Sequence, residues 1–240
     1  MINLTWLRAN EFSGCTGLTA INLVNITFLD GPTGTTQGDY QGGAFKSCTG
    51  LITVSNVDNI TTVNNNCFWN CANLTTITGT WHVTAIPSAL FGRCNKLTGI
   101  LITSSCTTIK DSAFFDCNAL VSIGDTSGLT VIEHNAFYNC TKLASIDTSN
   151  CTAIGSSSDQ GGDYNASTFW RCRALTSLNL TKITIVQPGR FYQCSGLTSV
   201  TLSALGTSIG RASFRDCTSL QTLGDTSGIV TGKQIGRAHV

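Results

Sequence analysis

The sequence predicts an α/β solenoid, a right-handed coil with a parallel β-sheet on one face and short helical turns on the other. Three observations predict it. A Phe, a Cys three residues on, a Leu three further and an aliphatic three beyond that recur nine times, at Phe12, Phe45, Phe68, Phe91, Phe114, Phe137, Phe169, Phe191 and Phe214. The intervals are 33, 23, 23, 23, 23, 32, 22 and 23 residues, and a period of this size marks stacked units that bury their apolar face only against neighbours. A branched aliphatic also stands five residues before the Phe in six units, at Val63, Ile86, Ile109, Ile132, Val186 and Ile209.

Each part of the unit follows from its pattern. Segments such as Leu18-Thr-Ala-Ile21-Asn-Leu23 and Leu175-Thr-Ser-Leu178-Asn-Leu180 alternate with period two, which predicts short parallel strands spaced about 4.8 Å along the stack. The stretch around each Phe and Cys, as in Asp111-Ser-Ala-Phe114-Phe-Asp-Cys117, lacks alternation and reads as a tight helical turn. Small residues precede the Phe (Ala44, Ala113, Ala136, Ser213), where neighbouring coils press together. Right-handedness is the default for parallel crossovers. Residues 1–11 read as a partial first repeat or amino-terminal edge, 12–231 as the solenoid, and 232–240 as broken register. Ile235-Gly-Arg-Ala-His-Val240 is the translation of a stretch of a common sequencing-library adapter, stands where a tenth Phe and Cys are due, and is set aside.

Strands of the form Leu-x-x-Ile-x-Leu joined to Ile-x-x-x-x-Phe-x-x-Cys-x-x-Leu turns resemble the leucine-rich repeats of BspA-like proteins. The sixth unit, through Leu143, Ile146, Thr148 and Cys151, nearly keeps the older Leu-x-x-Leu-x-Leu-x-x-Cys form. The resemblance covers about residues 12 to 231. It implies a binding or adhesion scaffold on a cell surface or outside the cell, with a protein or glycan as partner and with further repeats or domains in a longer chain.

Composition narrows the classes. Charged residues are 11% of the chain, net charge is +1, and no basic stripe is apparent to follow a phosphate backbone, so nucleic acid is not expected as partner. No apolar run reaches membrane-helix length, and Met1-Ile-Asn-Leu-Thr-Trp-Leu-Arg8 lacks the regions of a secretory signal.

Nine of the twelve cysteines fall in one column. In-register parallel side chains point alongside one another rather than together, so these read as buried free thiols behaving as small hydrophobes. Cys106 and Cys151 follow their strands and could form a bridge or bind metal, but no Cys-x-x-Cys pair accompanies them. No cofactor motif is read. For catalysis the chain offers His82, His134, Glu11, Glu133 and the strand-following carboxylates Asp125 and Asp147. Neighbouring carboxylates can serve acid–base work on sugars, but this pair sits at unequal offsets and the chain is read as non-enzymatic.

Three surfaces remain. The outward strand positions, from Ala20 and Asn22 to Thr222 and Gly224, are nearly all small and uncharged and carry none of the Trp, Tyr or Arg favoured at binding hot spots. Their hydroxyls read as pairing along the ladder, with a glycan- or ice-meeting lattice as the sharper alternative. Both long intervals come from insertions at one edge of the coil, about Asn25 to Gly43 and Thr148 to Ser167, which share the wording Gly38-Asp39-Tyr40 and Gly162-Asp163-Tyr164. Asp39, Tyr40, Asp163 and Tyr164 are candidate contact residues because recognition concentrates on loops of rigid scaffolds; a duplicated neutral loop is the bland alternative. An aromatic follows the Phe at Trp69, Phe115, Tyr138, Trp170 and Tyr192, either a stacking surface for carbohydrate or peptide or half-buried packing between coils. The expected role is a non-enzymatic binding or adhesion module. A structural spacer in a fibre or phage-tail-like protein and a polysaccharide-active enzyme are the alternatives.

Overall fold

The computed structural model describes residues 4–29, 42–155, 167–203 and 207–224, together with the strand Val230–Thr231. Two rows of parallel strands run along the stack. One row comprises Ala20–Asn22, Thr53–Ser55, Thr76–Ile77, Gly99–Ile102, Ser122–Gly124, Ser177–Leu180, Ser199–Leu202 and Thr222–Leu223. Its register places the last aliphatic of a signature opposite its equivalent, as Ile21 opposite Val54 and Leu178 opposite Val200, with a register shift between Gly99–Ile102 and Ser122–Gly124. These are the strands that the alternating segments predict.

The second row lies just ahead of the Phe turns: Trp6–Leu7, Phe28–Leu29, Thr62–Val63, Ala85–Ile86, Thr108–Ile109, Val131–Ile132, Ala153–Ile154, Ile185–Val186, Ser208–Ile209 and Val230–Thr231. Register joins Leu7, Leu29 and Val63 in one column, then Ile86, Ile109, Ile132 and Ile154, then Val186 and Ile209. Leu29 and Ile154 thus supply the aliphatic in the two long units. Each insertion therefore sits between this strand and the following Phe turn, at residues 30–41 and 156–166.

The helical turns expected on the remaining side are not there. Among the described residues there is no helix, and the physical reason lies in the backbone around each Phe. Residues two before and two after it are left-handed: Ala89 and Arg93 (φ 54° and 62°), Ser112 and Asp116 (56° and 58°), Asn135 and Asn139 (50° and 59°). A helix needs an unbroken run near φ −63°. Here alternate N–H groups turn along the stack instead. Ser112, Phe114 and Asp116 donate to the carbonyls of His134, Ala136 and Tyr138 at 2.9, 2.8 and 2.8 Å. The same three-bond lace joins Ala89, Phe91 and Arg93 to Asp111, Ala113 and Phe115. The fold is a β-solenoid whose third side is a ladder of turns.

Inside, the nine phenylalanines form one continuous column. Successive rings stand 5.2 to 5.6 Å apart with planes within 20°, an offset-stacked geometry that aromatic pairs favour. From Phe45 to Phe191 these rings are buried, and the Cys, Leu and strand aliphatic columns join them in a single hydrophobic cluster. Trp81 meets Phe68 and Phe91 edge-on and fills the core of its coil.

Candidate functional site

The three faces of the coil differ in what they leave available. Ahead of the second strand row stands a threonine column that the sequence reading missed, because its signal is hidden in a chain rich in Thr: Thr5, Thr27, Thr61, Thr84, Thr107, Thr130, Thr152, Thr184 and Thr207. Its hydroxyls are engaged along the stack. Thr107 Oγ1 donates to the Thr84 carbonyl, Thr130 Oγ1 to Thr107 and Thr152 Oγ1 to Thr130, at 3.2, 3.2 and 3.3 Å. Ahead of the first row Thr75, Thr98 and Thr198 do the same. In the sixth coil, where Leu143 to Thr148 form no strand, side-chain oxygens replace the ladder. Asp147 N–H donates to Thr126 Oγ1, and Asn179 N–H to Thr148 Oγ1, at 2.8 and 3.1 Å. These hydroxyls tie coils together.

The corner between the two strand rows holds Asp125 and Asp147, and both close local turns. Asp125 Oδ1 accepts from the amide and hydroxyl of Ser127, and Asp147 Oδ1 accepts from the Ser149 amide. The Ser127 hydroxyl and then its amide hold the Asp125 carboxyl below its usual range. Asn22 and Asn179 close the same two-residue turn onto the amides of Val24 and Thr181, while Asp58 Oδ1 accepts the Thr80 amide of the next coil. Asx turns of this kind account for the residue type without chemistry. His82 is exposed, and Glu133 Oε2 accepts the Asp111 amide at 3.0 Å.

The cysteine column is buried from Cys48 onward, while Cys15 at its start is exposed. It is more than small hydrophobes. Each thiol donates to the Phe carbonyl of the coil before it: Cys71 to Phe45, Cys94 to Phe68, Cys117 to Phe91, Cys140 to Phe114, all at 3.0 to 3.1 Å, and so on to Cys217 with Phe191. The same carbonyl accepts the Cys amide of its own coil, as Cys94 N–H to Phe91 at 3.0 Å. Burial raises the thiols of Cys94, Cys117, Cys140, Cys172 and Cys194 far above their ordinary value. A thiol held protonated is a poor nucleophile and a poor metal ligand. Cys151 is pushed up to about 12, chiefly by burial and then by the Asp147 charge, and its Sγ lies 3.5 Å from the Leu129 carbonyl. Among the described residues all cysteines are free and no cluster of three metal-binding side chains occurs.

What is left is the turn edge. Trp69, Phe115, Tyr138, Trp170 and Tyr192 are all half-buried there. Phe115, Tyr138 and Trp170 stack at 4.7 and 4.4 Å, and the Trp69 ring reaches Phe115 at 6.3 Å. The fourth unit has no aromatic at this position, and Gly92 makes that reach possible: a Cβ on it would collide with the Trp69 ring at Cζ3. Guanidinium groups lie over the ladder, Arg93 at 5.4 Å from Trp69, Arg171 at 4.0 Å from Trp170 and Arg215 at 5.6 Å from Tyr192. Arg171 is held in place by a 2.9 Å bond from Nε to Gln193 Oε1. Because Phe115, Tyr138 and Trp170 stack along the solenoid axis, their faces cover one another, and the exposed part of these half-buried residues is chiefly ring edge. Burial raises the Tyr138 phenol above its usual value, with Asp116 adding to the effect, so it stays a donor. These arginines were not singled out from the sequence; Arg93 and Arg171, two residues after their Phe, are turned onto the ladder by left-handed backbone (φ 62° and 58°), whereas Arg215 directly follows Phe214.

The loop candidates Asp39, Tyr40, Asp163 and Tyr164 lie outside the described residues, as does the 235–240 tail. The described residues on either side, Leu29 and Gly42 for one insertion and Gly155 and Ser167 for the other, lie between the second strand row and the Phe turn.

A family model described as a BspA-type leucine-rich repeat region, in six copies, matches residues 40–144 and 162–232. No curated protein matches. Among solved structures the chain is similar to the leucine-rich repeat protein of T. pallidum, with 24% identity over 71% of this chain and 78% of that one and a TM-score of 0.56. Leucine-rich repeat proteins from Eubacterium ventriosum (21% identity, 93% and 71% coverage, TM-score 0.49) and Bacteroides ovatus (19%, 93% and 75%, 0.41) also match. At that identity the T. pallidum protein shows the shared coil architecture.

Proposed function

The chain belongs to the BspA-type leucine-rich repeat family, and from that membership and the turn-edge geometry we propose a non-enzymatic binding and adhesion scaffold working at a cell surface. The contact surface is the edge carrying Trp69, Phe115, Tyr138, Trp170 and Tyr192, bordered by the loops that contain Asp39, Tyr40, Asp163 and Tyr164. One observation carries the choice: the stacked aromatic ladder with arginines over it, the residue types that dominate binding energy, set against threonine columns ahead of the strand rows and corner carboxylates that are engaged within the fold. Partners are a protein or a glycan. Among the described residues no helix is long and apolar enough to cross a membrane.

The test is a panel of immobilised glycans and matrix proteins, probed with the parent chain, with Tyr138→Ala/Trp170→Ala, and with a chain whose residues 30–41 and 156–166 are replaced by regular short connections. Ligands captured by the parent and lost in the ladder variant, with circular dichroism unchanged, support the proposal. Capture that survives both changes overturns the turn edge as the contact surface, and no capture at all favours the spacer reading.

A further inference from the structure

Charge is distributed unevenly around the coil. In the five residues after each Phe, the strip that carries the ladder, the sequence places Lys46, Arg93, Lys96, Lys142, Arg171, Arg173 and Arg215 against Asp116 and Asp216. Asp116 is engaged by Asn139 Nδ2 at 3.0 Å. Across the molecule, the corner between the strand rows carries Asp58, Asp125 and Asp147 against Lys182. A chain of net charge +1 thus has a cationic edge and an anionic corner, a stripe that the linear sequence does not show because its charges lie on separate coils, and such separation steers charged partners to one side.

The ladder narrows the partner further. In its centre the faces of Phe115, Tyr138 and Trp170 cover one another at 4.7 and 4.4 Å, and guanidinium groups lie over the rings of Trp69, Trp170 and Tyr192 at 5.4, 4.0 and 5.6 Å. Neutral sugars and nucleic-acid bases both need an open ring face for stacking. What borders solvent is ring edge, the positive rim of the aromatic quadrupole, together with the Tyr138 hydroxyl and the guanidinium groups. These are all suited to oxyanions. At least one of these groups stands on every coil from the third to the ninth, with guanidinium groups on the fourth, seventh and ninth, along an edge of about 30 Å at a rung of about 4.8 Å.

Resting on the turn-edge reading above, we infer that the partner of this edge is a linear anionic polysaccharide bearing carboxylate or sulfate groups. The experiment is a titration of the whole chain by affinity electrophoresis with polygalacturonate, heparin, dextran and oligo-thymidylate. Both anionic polysaccharides bind, dextran does not, and affinity falls about tenfold between low and physiological salt. Arg93→Gln/Arg171→Gln/Arg173→Gln weakens binding about tenfold or more. The same three positions changed to Lys retain most of it, and Lys182→Gln, on the opposite corner, changes nothing.

Several results overturn the inference. Binding of dextran as tight as that of heparin, lost on Tyr138→Ala/Trp170→Ala, removes the anionic partner while leaving the edge as a contact surface. Polyanion binding untouched by both the Gln triple and the ladder double removes the edge as well. Preference for oligo-thymidylate over both polysaccharides makes the ligand a nucleic acid, and binding of none of the four overturns the inference outright.

Discussion

At the scale of single residues, the cysteine column shows why a thiol occupies a position that Ala or Val would fill by volume. Cys117 touches core atoms on all sides and also donates to the Phe91 carbonyl at 3.0 Å. Cys117→Val keeps the bulk and deletes the donor, and is expected to cost about 1 kcal/mol in urea unfolding at neutral pH. The column also sets an alkaline limit. The folded chain holds Cys94, Cys117, Cys140, Cys172 and Cys194 above their ordinary value of 9.0 by burial, so above pH 9 the unfolded chain loses protons that the folded chain keeps. Stability is then complete below pH 9 and falls as pH rises beyond it, by about 1.4 kcal/mol per pH unit for each such thiol. Urea midpoints at pH 7, 9 and 10.5 measure this, and Cys94→Val/Cys117→Val/Cys140→Val should flatten the decline. Parallel profiles for parent and variant would remove the explanation.

At the scale of the element, the turn beside each Phe separates a helix from a left-handed ladder through one pair of variants. Asp116 has φ 58° and donates its amide to the Tyr138 carbonyl at 2.8 Å. Asp116→Gly should be tolerated, whereas Asp116→Val, β-branched in the left-handed region, should cost about 1 to 3 kcal/mol. A helical turn would reverse the order, since Gly is the poorer helix former. The sequence does not reveal this geometry because the left-handed sites hold Asn, Ser, Asp, Ala, Arg, Gln and Gly in turn, and no single residue type marks them. The second strand row is equally obscured, its strands being two residues long and too short to show alternation. The Phe, Cys, Leu and aliphatic columns were legible because their spacing recurs nine times. The aromatics of the turn edge were legible too, but not the Gly92 gap that Trp69 fills, nor the arginines aligned by the backbone.

At the scale of the whole molecule, coils are bonded to their neighbours through the turn side and, within each run of paired strands, through the two strand rows, so stability behaves as a sum over neighbouring interfaces. A ring removed from the middle disturbs two of them. Phe114→Ala, with stacked partners at 5.6 and 5.3 Å, should cost about 3 to 5 kcal/mol. Phe12→Ala, half-buried with one stacked partner at 5.4 Å, should cost clearly less, and chemical denaturation of the two variants measures the difference. The central claim is that one spine runs through the chain and that its turn side is laced coil to coil, which is what gives the aromatic edge its straight, rigid form. Residue-resolved amide hydrogen exchange tests it most directly. The amides of Ser112, Phe114, Asp116, Phe91 and Arg93 should exchange as slowly as those of the strands Gly99–Ile102 and Ser122–Gly124. Rapid exchange at these turn amides beside protected strands would contradict it.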